Sequence, residues 1–199
     1  MRLKYDLVVF DLEANQPSGR IIEIGAIKLS REGKINTEDT FQAFVNPNEE
    51  LDPYVRNLCG ITPGNLREGQ QLNEAIAEFY TWAVKESKNI VLCSWGNYDV
   101  AELRIQCKEA RIDYPFRGKS IDAKSIATWV SAMVKKNIAS DGLTTMLNGW
   151  NCPFDNMLGN KHRALGDAYN TAKLLQTMWN YYETQASKLK LNLEELGIK

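Results

Sequence analysis

Hydrophobic and polar positions change rhythm once along this chain. Over the first 46 residues they follow the short period of β-strands. "DLVVFDLEA" (6–14) is a first apolar run, "RIIEIGAIKLS" (20–30) a second and "INTEDTFQAFVNP" (35–47) a third. "REGK" is a turn between the second and third, so a hairpin around Glu32-Gly33 predicts an antiparallel pair. Helical spacing then takes over. "DPYVRNLCG" predicts a short helix with Asp52 as N-cap, Pro53 at its first position and Gly60 past its end. "NEAIAEFYTWAVKE" sets Ala75, Ile76, Phe79, Ala83 and Val84 on one helical face, with Asn73 as cap. "NIVLCSW" predicts a buried strand. "DVAELRIQCKEARI", "DAKSIATWVSAMVKK", "GLTTMLNGW" and "ALGDAYNTAKLLQTMWNYYETQ" predict four more helices. The tail "KLKLNLEELGIK" is a final helix or a frayed end.

Three strands, helices, one more apolar strand and further helices predict an α/β fold with a mixed sheet. No Pro/Gly/Ser-rich linker interrupts the chain. A single domain over 1–199 is expected, with its core at about 5–185 and a tail at about 186–199.

Composition narrows this picture only modestly. The chain has 199 residues, 44% hydrophobic and 25% charged, as an ordinary globule does. A net charge of −1 excludes a uniformly basic coat for nucleic-acid binding but leaves room for a local basic groove. Cys59, Cys93, Cys107 and Cys152 form no C-x-x-C pair, and no secretory leader is apparent, so reduced thiols in the cytoplasm are expected. "MRLKYDLVVF" is too short in its apolar part to span a membrane.

The candidate chemistry begins inside the first strand, at "VVFDLEAN". Residues two apart on a strand share a face, so Asp11 and Glu13 stand side by side among apolar neighbours. Burying two like charges there is costly. The buried-strand pattern runs into "GNYDVAEL", which puts Asp99 at a strand-to-helix junction, and "KHRALGD" puts His162 and Asp167 where a loop becomes the last helix. Such junctions gather at one edge of an open α/β sheet. Four carboxylates meeting there would be untenable without cations. Hard oxygen donors suit Mg²⁺ or Mn²⁺. Two such ions about 4 Å apart can hold the attacking and leaving oxygens of a phosphoryl displacement. His162, the one histidine of the chain, is the candidate base for the attacking water.

"FDLEAN", "WGNYDVAEL" and "HRALGDAYNTA" resemble, in order and spacing, the three motifs of the DEDDh 3′-to-5′ exonucleases, the proofreading-exonuclease superfamily with an RNase H-like fold. The resemblance runs from about Asp6 to Leu175. It implies an RNase H-like mixed β-sheet with helices on both faces. It also implies that Asp11, Glu13, Asp99 and Asp167 bind two metals and that His162 is the general base. In that scheme Asp11 bridges both ions, Glu13 and Asp167 hold the one that activates water, and Asp99 supports the other. "CSWGNYDVAELRIQCKEARIDYPF" and the "GIT" of Gly60 to Thr62 look most like the branch that trims histone-mRNA and small-interfering-RNA 3′ ends. That likeness implies a single-stranded 3′ end as partner, RNA ahead of DNA. A DNA proofreading or repair nuclease and a silent nucleic-acid- or partner-binding module are the competing readings. In one departure, Gly166 stands where family members often carry a first acid of the third motif, and a loss of local helix stability of roughly 1 kcal/mol is expected.

Each acid alone also has an ordinary reading: a strand-end cap, an N-cap for Asp99, a helix-face pair with Lys161 or Arg163 for Asp167. Their joint order and spacing favour the site. Glu23, a further acid in "IIEIGAI", is expected to hydrogen-bond within the sheet and is left out of it. Candidate substrate contacts are Leu12 and Ala14 beside the acids, Ile61 as an apolar wedge, Trp95 and Asn97 ahead of Asp99, and Lys161 and Arg163 flanking His162. Trp95 reads equally as a core aromatic ending its strand, and "GIT" as a helix C-cap followed by a turn. Arg104, Lys108, Arg111, Arg117, Lys119 and Lys124 read chiefly as solvated faces, and the aromatic "MWNYY" as packing.

Overall fold

A computed structural model describes residues 3–116 and 118–195, the stretch from 190 as backbone alone. Arg117 and residues 196–199 of the tail lie outside the described residues. Three strands open the chain: β1 (Asp6–Ala14), β2 (Ile21–Leu29) and β3 (Ile35–Phe44). They pair antiparallel in sequence order, which for β2 and β3 is what the hairpin predicted. Then come α1 (Pro53–Cys59), α2 (Pro63–Arg67), α3 (Leu72–Val84), β4 (Ile90–Ser94), α4 (Tyr98–Glu109), β5 (Ile121–Asp122), α5 (Ala123–Met133), α6 (Leu143–Gly149) and α7 (Ala164–Glu195). The sheet order is β3-β2-β1-β4-β5, with β4 and β5 parallel to β1.

Alternation along β1 divides the core. Val8, Phe10 and Leu12 join Ile76 and Phe79 of α3 and Leu103 and Cys107 of α4 on one face. Leu7 and Val9 join Ala123 of α5 and Tyr169 and Ala172 of α7 on the other. Helices therefore cover both faces, and β2 is buried at every position. Asp11 and Glu13 continue the odd-numbered series, so they project from the α7 face just past the last apolar residue of that row.

Local capping matches the sequence at α1. The Asp52 side chain accepts from the Tyr54 and Val55 amides, and Gly60 takes the left-handed backbone (φ +69°) that ends the helix. Elsewhere the structure differs. The cap of α3 is Gln71 instead of Asn73, because a capping box with Glu74 starts the helix earlier. Thr62 and Asn65 form a second capping box and turn the segment after Gly60 into α2. Asp122 ends the two-residue β5 and also caps α5 through the Ser125 amide. The last helix runs on past Gln185 to Glu195, taking in most of the tail. Among the described residues, no helix is long and apolar enough to cross a membrane.

Candidate active site

Parallel pairing of β4 with β1 (Val9 opposite Cys93) brings the strand-to-helix junction at Asp99 to the same sheet edge as Asp11 and Glu13. The start of α7 brings Asp167. One carboxylate oxygen from each of Asp11, Glu13 and Asp167 lies within 4.8 Å of the others. Asp99 stands outside this trio but close by. Its charge is the largest neighbouring influence on Asp11, and Leu12 and its own backbone hydrogen-bond it.

The trio exists because α7 begins directly on the backbone of β2. Gly25 is the cross-strand partner of Asp11, and a Cβ there would lie 2.0 Å from the Leu165 amide nitrogen. Only a residue without a side chain lets the helix start that close. Two residues earlier, Glu23 is wholly buried on the same face. Its carboxylate accepts from Arg163 Nη2 (2.8 Å) and Nε (3.1 and 3.3 Å), from the Ala164 amide (3.2 Å) and from Gln42 Nε2 (2.6 Å). This charge-assisted fork fastens the first turn of α7 to the sheet. Glu23 thus hydrogen-bonds within the sheet through Gln42, as expected, and also reaches out of it to the start of α7.

Burial dominates the electrostatics. Desolvation, then the charge of Asp99, pushes the Asp11 pKa well above the carboxylate range. Burial raises Glu13 to about 7, against a hydrogen bond from the Cys59 thiol (3.2 Å) that lowers it. Burial likewise raises Asp99 to about 7 and Asp167 to about 6. Among the described residues no lysine or arginine pairs with any of the four, and the nearby guanidinium of Arg163 is held by Glu23. The cluster is a concentration of negative charge left for something else to neutralise.

His162 lies in the loop before α7 with φ +61°. Its backbone N–H donates to Asp167 Oδ2 at 3.2 Å, so the partly exposed residue sits at the rim of the cluster. Burial, then the charge of Lys161, pushes its pKa below 6.5, which leaves the ring neutral and able to accept a proton at pH 7.

The expected substrate contacts divide. Ala14 is half-buried, and Asn97 and Lys161 are exposed. Leu12 belongs to the core, and Trp95 packs between two apolar clusters. Two contacts are corrected. Ile61 is wholly buried among Ile22, Val55, Cys59 and Leu66, so it presents no wedge. Arg163 has its fork occupied by Glu23, so it is not free for phosphate. Trp179 is buried in the core, and Tyr181 and Tyr182 pack against it, as "MWNYY" suggested. Gly166 has a stronger reason than helix propensity: a Cβ would lie 2.6 Å from the Asn160 carbonyl and 2.7 Å from that of Gly159. The roles of Gly25 and Cys59 were not foreseen. A glycine interrupting the apolar "IIEIGAI" two residues after an acid was the available signal for Gly25.

A family model described as exonuclease, of the RNase T type, matches residues 8–175. Over 99% of this chain, 27% of residues are identical to a PolC-type DNA polymerase III of Caldanaerobacter subterraneus, of which the chain spans only 12%. The probable 3′-5′ exonuclease KapD of Bacillus subtilis is 26% identical over 85% of this chain and 82% of its own length. Among solved structures, a 3′-exonuclease described in specific recognition of the histone mRNA stem-loop is similar with a TM-score of 0.75. Its identity is 26%, over 89% of this chain and 83% of that one. Cell-death related nuclease 4 shares the fold (TM-score 0.78, 21% identity, 88% of this chain and 64% of that one).

Proposed function

The chain belongs to the RNase T exonuclease family, whose model spans residues 8–175, and on that premise we propose a metal-dependent exonuclease that works 3′ to 5′ on single-stranded ends and releases nucleoside 5′-monophosphates. The observation that carries this reading is the trio Asp11, Glu13 and Asp167, gathered within 4.8 Å and, among the described residues, without a lysine or arginine in ion-pair contact.

These residues fit a pair of hard dications. The donors are all carboxylate oxygens, and burial has raised the pKa of each, so ionising them together demands positive charge from outside the chain. Asp11 would bridge the two ions, Glu13 and Asp167 would hold one, and Asp99 would support the other. Two Mg²⁺ or Mn²⁺ bound there would stabilise both the entering and the departing oxygen of an in-line displacement at phosphorus. The remaining chemistry belongs to the protein. His162, with its lowered pKa, takes the proton from the attacking water on a ring nitrogen. The hydrogen bond from its backbone to Asp167 keeps the residue at the rim of the cluster. Glu23 and Arg163 hold the helix start so that Asp167 cannot drift. Ala14, Asn97 and Lys161 retain surface for the terminal nucleotide.

RNA is the favoured substrate. The likeness to the exonuclease described on the histone mRNA stem-loop, over 89% of this chain and 83% of that one, supports this choice. The polymerase likeness supports a second reading, a DNA 3′ end. Digestion of end-labelled RNA and DNA oligomers of one sequence, with and without a chelator, tests both. Shortening from the 3′ end, dependent on added dication and lost in Asp11→Ala, is the expected result. Cleavage that survives chelator, or shortening from the 5′ end, would overturn the assignment.

A further inference from the structure

The acids occupy the α7 face near the C-terminal end of β1. A separate cavity of about 470 Å³ opens on the opposite face, at the other end of the sheet. Its origin is the shortness of β5, which pairs with Cys93 and Ser94 and, among the described residues, leaves the β4 edge at Ile90–Leu92 without a strand neighbour on that side. Ile90 is the cross-strand partner of Asp6, five residues before Asp11, which at strand rise is about 17 Å away. The cavity is in the size range of small-ligand sites.

Its walls carry two kinds of group. Tyr80, Tyr114 and Phe116 form an aromatic side: Tyr80 meets Phe116 edge-on at 5.5 Å, and Tyr114 is 5.8 Å from Phe116. Lys88, Arg104 and Lys119 line the rest, opposed by one acid, Asp113. Among the described residues none of these three cations has a carboxylate within ion-pair distance. The Arg104 guanidinium lies over the Tyr114 ring at 5.2 Å and reaches the Gly118 carbonyl at 3.4 Å. Burial pushes the Tyr114 hydroxyl pKa up, against the hydrogen bond and charge of the adjacent Arg104 guanidinium, which lower it. The open edge of β4 adds backbone donors and acceptors turned away from β1.

Aromatic faces and a cationic rim suit a planar heterocycle bearing a phosphate. We propose that this cavity binds one nucleotide, its base against Tyr80 and Phe116 and its phosphate on Arg104 and Lys119, apart from the acid cluster. An extended peptide would use the strand edge too. Three unpaired cations against a single acid favour the nucleotide. The nucleotide is either free or part of a strand, and the proposal does not depend on the nuclease reading.

Calorimetric titration in chelator tests it, with adenosine 5′-monophosphate, adenosine, inorganic phosphate and a five-nucleotide RNA as probes. Saturable binding of the monophosphate is expected, with adenosine and phosphate each at least about 10-fold weaker. Lys119→Ala and Arg104→Ala should each weaken it about 10-fold, while Asp11→Asn leaves it unchanged. Tyr114→Phe, which conserves packing, serves if Arg104→Ala does not fold. Tighter binding of the oligomer identifies a strand as the source, and equal binding a free nucleotide; both support the site. Absence of saturation by about 1 mM, loss with Asp11→Asn, indifference to Lys119→Ala, Arg104→Ala and Tyr114→Phe alike, or capture of an extended peptide in place of the monophosphate overturns it.

Discussion

Replacing Gly25 with alanine adds a single methyl group at the seat of α7, 142 residues from the acid that it should displace (167 − 25). The built Cβ would lie 2.0 Å from the Leu165 nitrogen, 2.3 Å from the Ala164 carbonyl carbon and 2.5 Å from the Leu165 Cα. All three are backbone atoms, so no rotamer relieves the clash. Ordinary contact begins at 3.4 Å, and the helix start must retreat by about 1.4 Å (3.4 − 2.0). Asp167 is in the same first turn and moves with it. Against a ligand trio that spans 4.8 Å, that shift is nearly a third. Overpacking of this kind costs about 1–3 kcal/mol, which for a chain of this length lowers Tm by about 3–10 °C. Misplacing a reacting group by about 1 Å costs on the order of 10²-fold in rate. Thermal unfolding, Mn²⁺ titration calorimetry and the digestion rate should therefore move together: a folded protein, weaker metal binding and a rate down about 100-fold. A Gly25→Ala protein with the Tm, Mn²⁺ affinity and rate of the parent would refute the account of how Asp167 is positioned.

Further outcomes follow from the charge and the loops of the site. Glu13, raised from 4.5 to about 7, is protonated more readily in the folded than in the unfolded chain, as are Asp99 (about 7) and Asp167 (about 6). Below about pH 3 both states are protonated and nothing is lost; as pH rises to 7 the metal-free fold weakens, by about 3 kcal/mol for Glu13 alone. Mn²⁺ should thus raise Tm strongly at pH 8 and little at pH 5, and equal shifts at both would contradict the buried-charge picture. His162→Ala should cut the rate by about 10²- to 10⁴-fold, and the parent rate should rise with pH to a plateau whose midpoint is below 6.5, since the neutral ring is the active form. An alanine variant with the parent's rate and pH profile removes the base. Gly166→Ala should lower Tm despite alanine's helix preference of about 1 kcal/mol, because the carbonyls of Gly159 and Asn160 occupy the added methyl's space; a raised Tm would show that the loop yields freely.

Where structure is written in neighbouring residues, the sequence disclosed it. Asp52, Pro53 and Gly60 delimit α1 through hydrogen bonds and backbone angles that span a few residues, and the hairpin at Gly33 needs only its turn. The odd-numbered register of Asp11 and Glu13 follows from strand alternation. Features set by distant partners were not legible. Ile61 is polar-flanked in sequence and looked available, yet α1 and α2 fold over it. Arg163 looked like a phosphate ligand because its partner Glu23 lies 140 residues away. The two-residue β5 has no pattern to detect. The convergence of Asp167 on β1 depends on Gly25, whose importance lies in a side chain it lacks.

That 140-residue clasp between Glu23 and Arg163 also imposes an order in time. The chain through β5 carries both strand acids and Asp99, but not the Asp167 that completes the trio. The trio is therefore completed only when Arg163 and Ala164 dock on Glu23 and carry Asp167 to the strand acids.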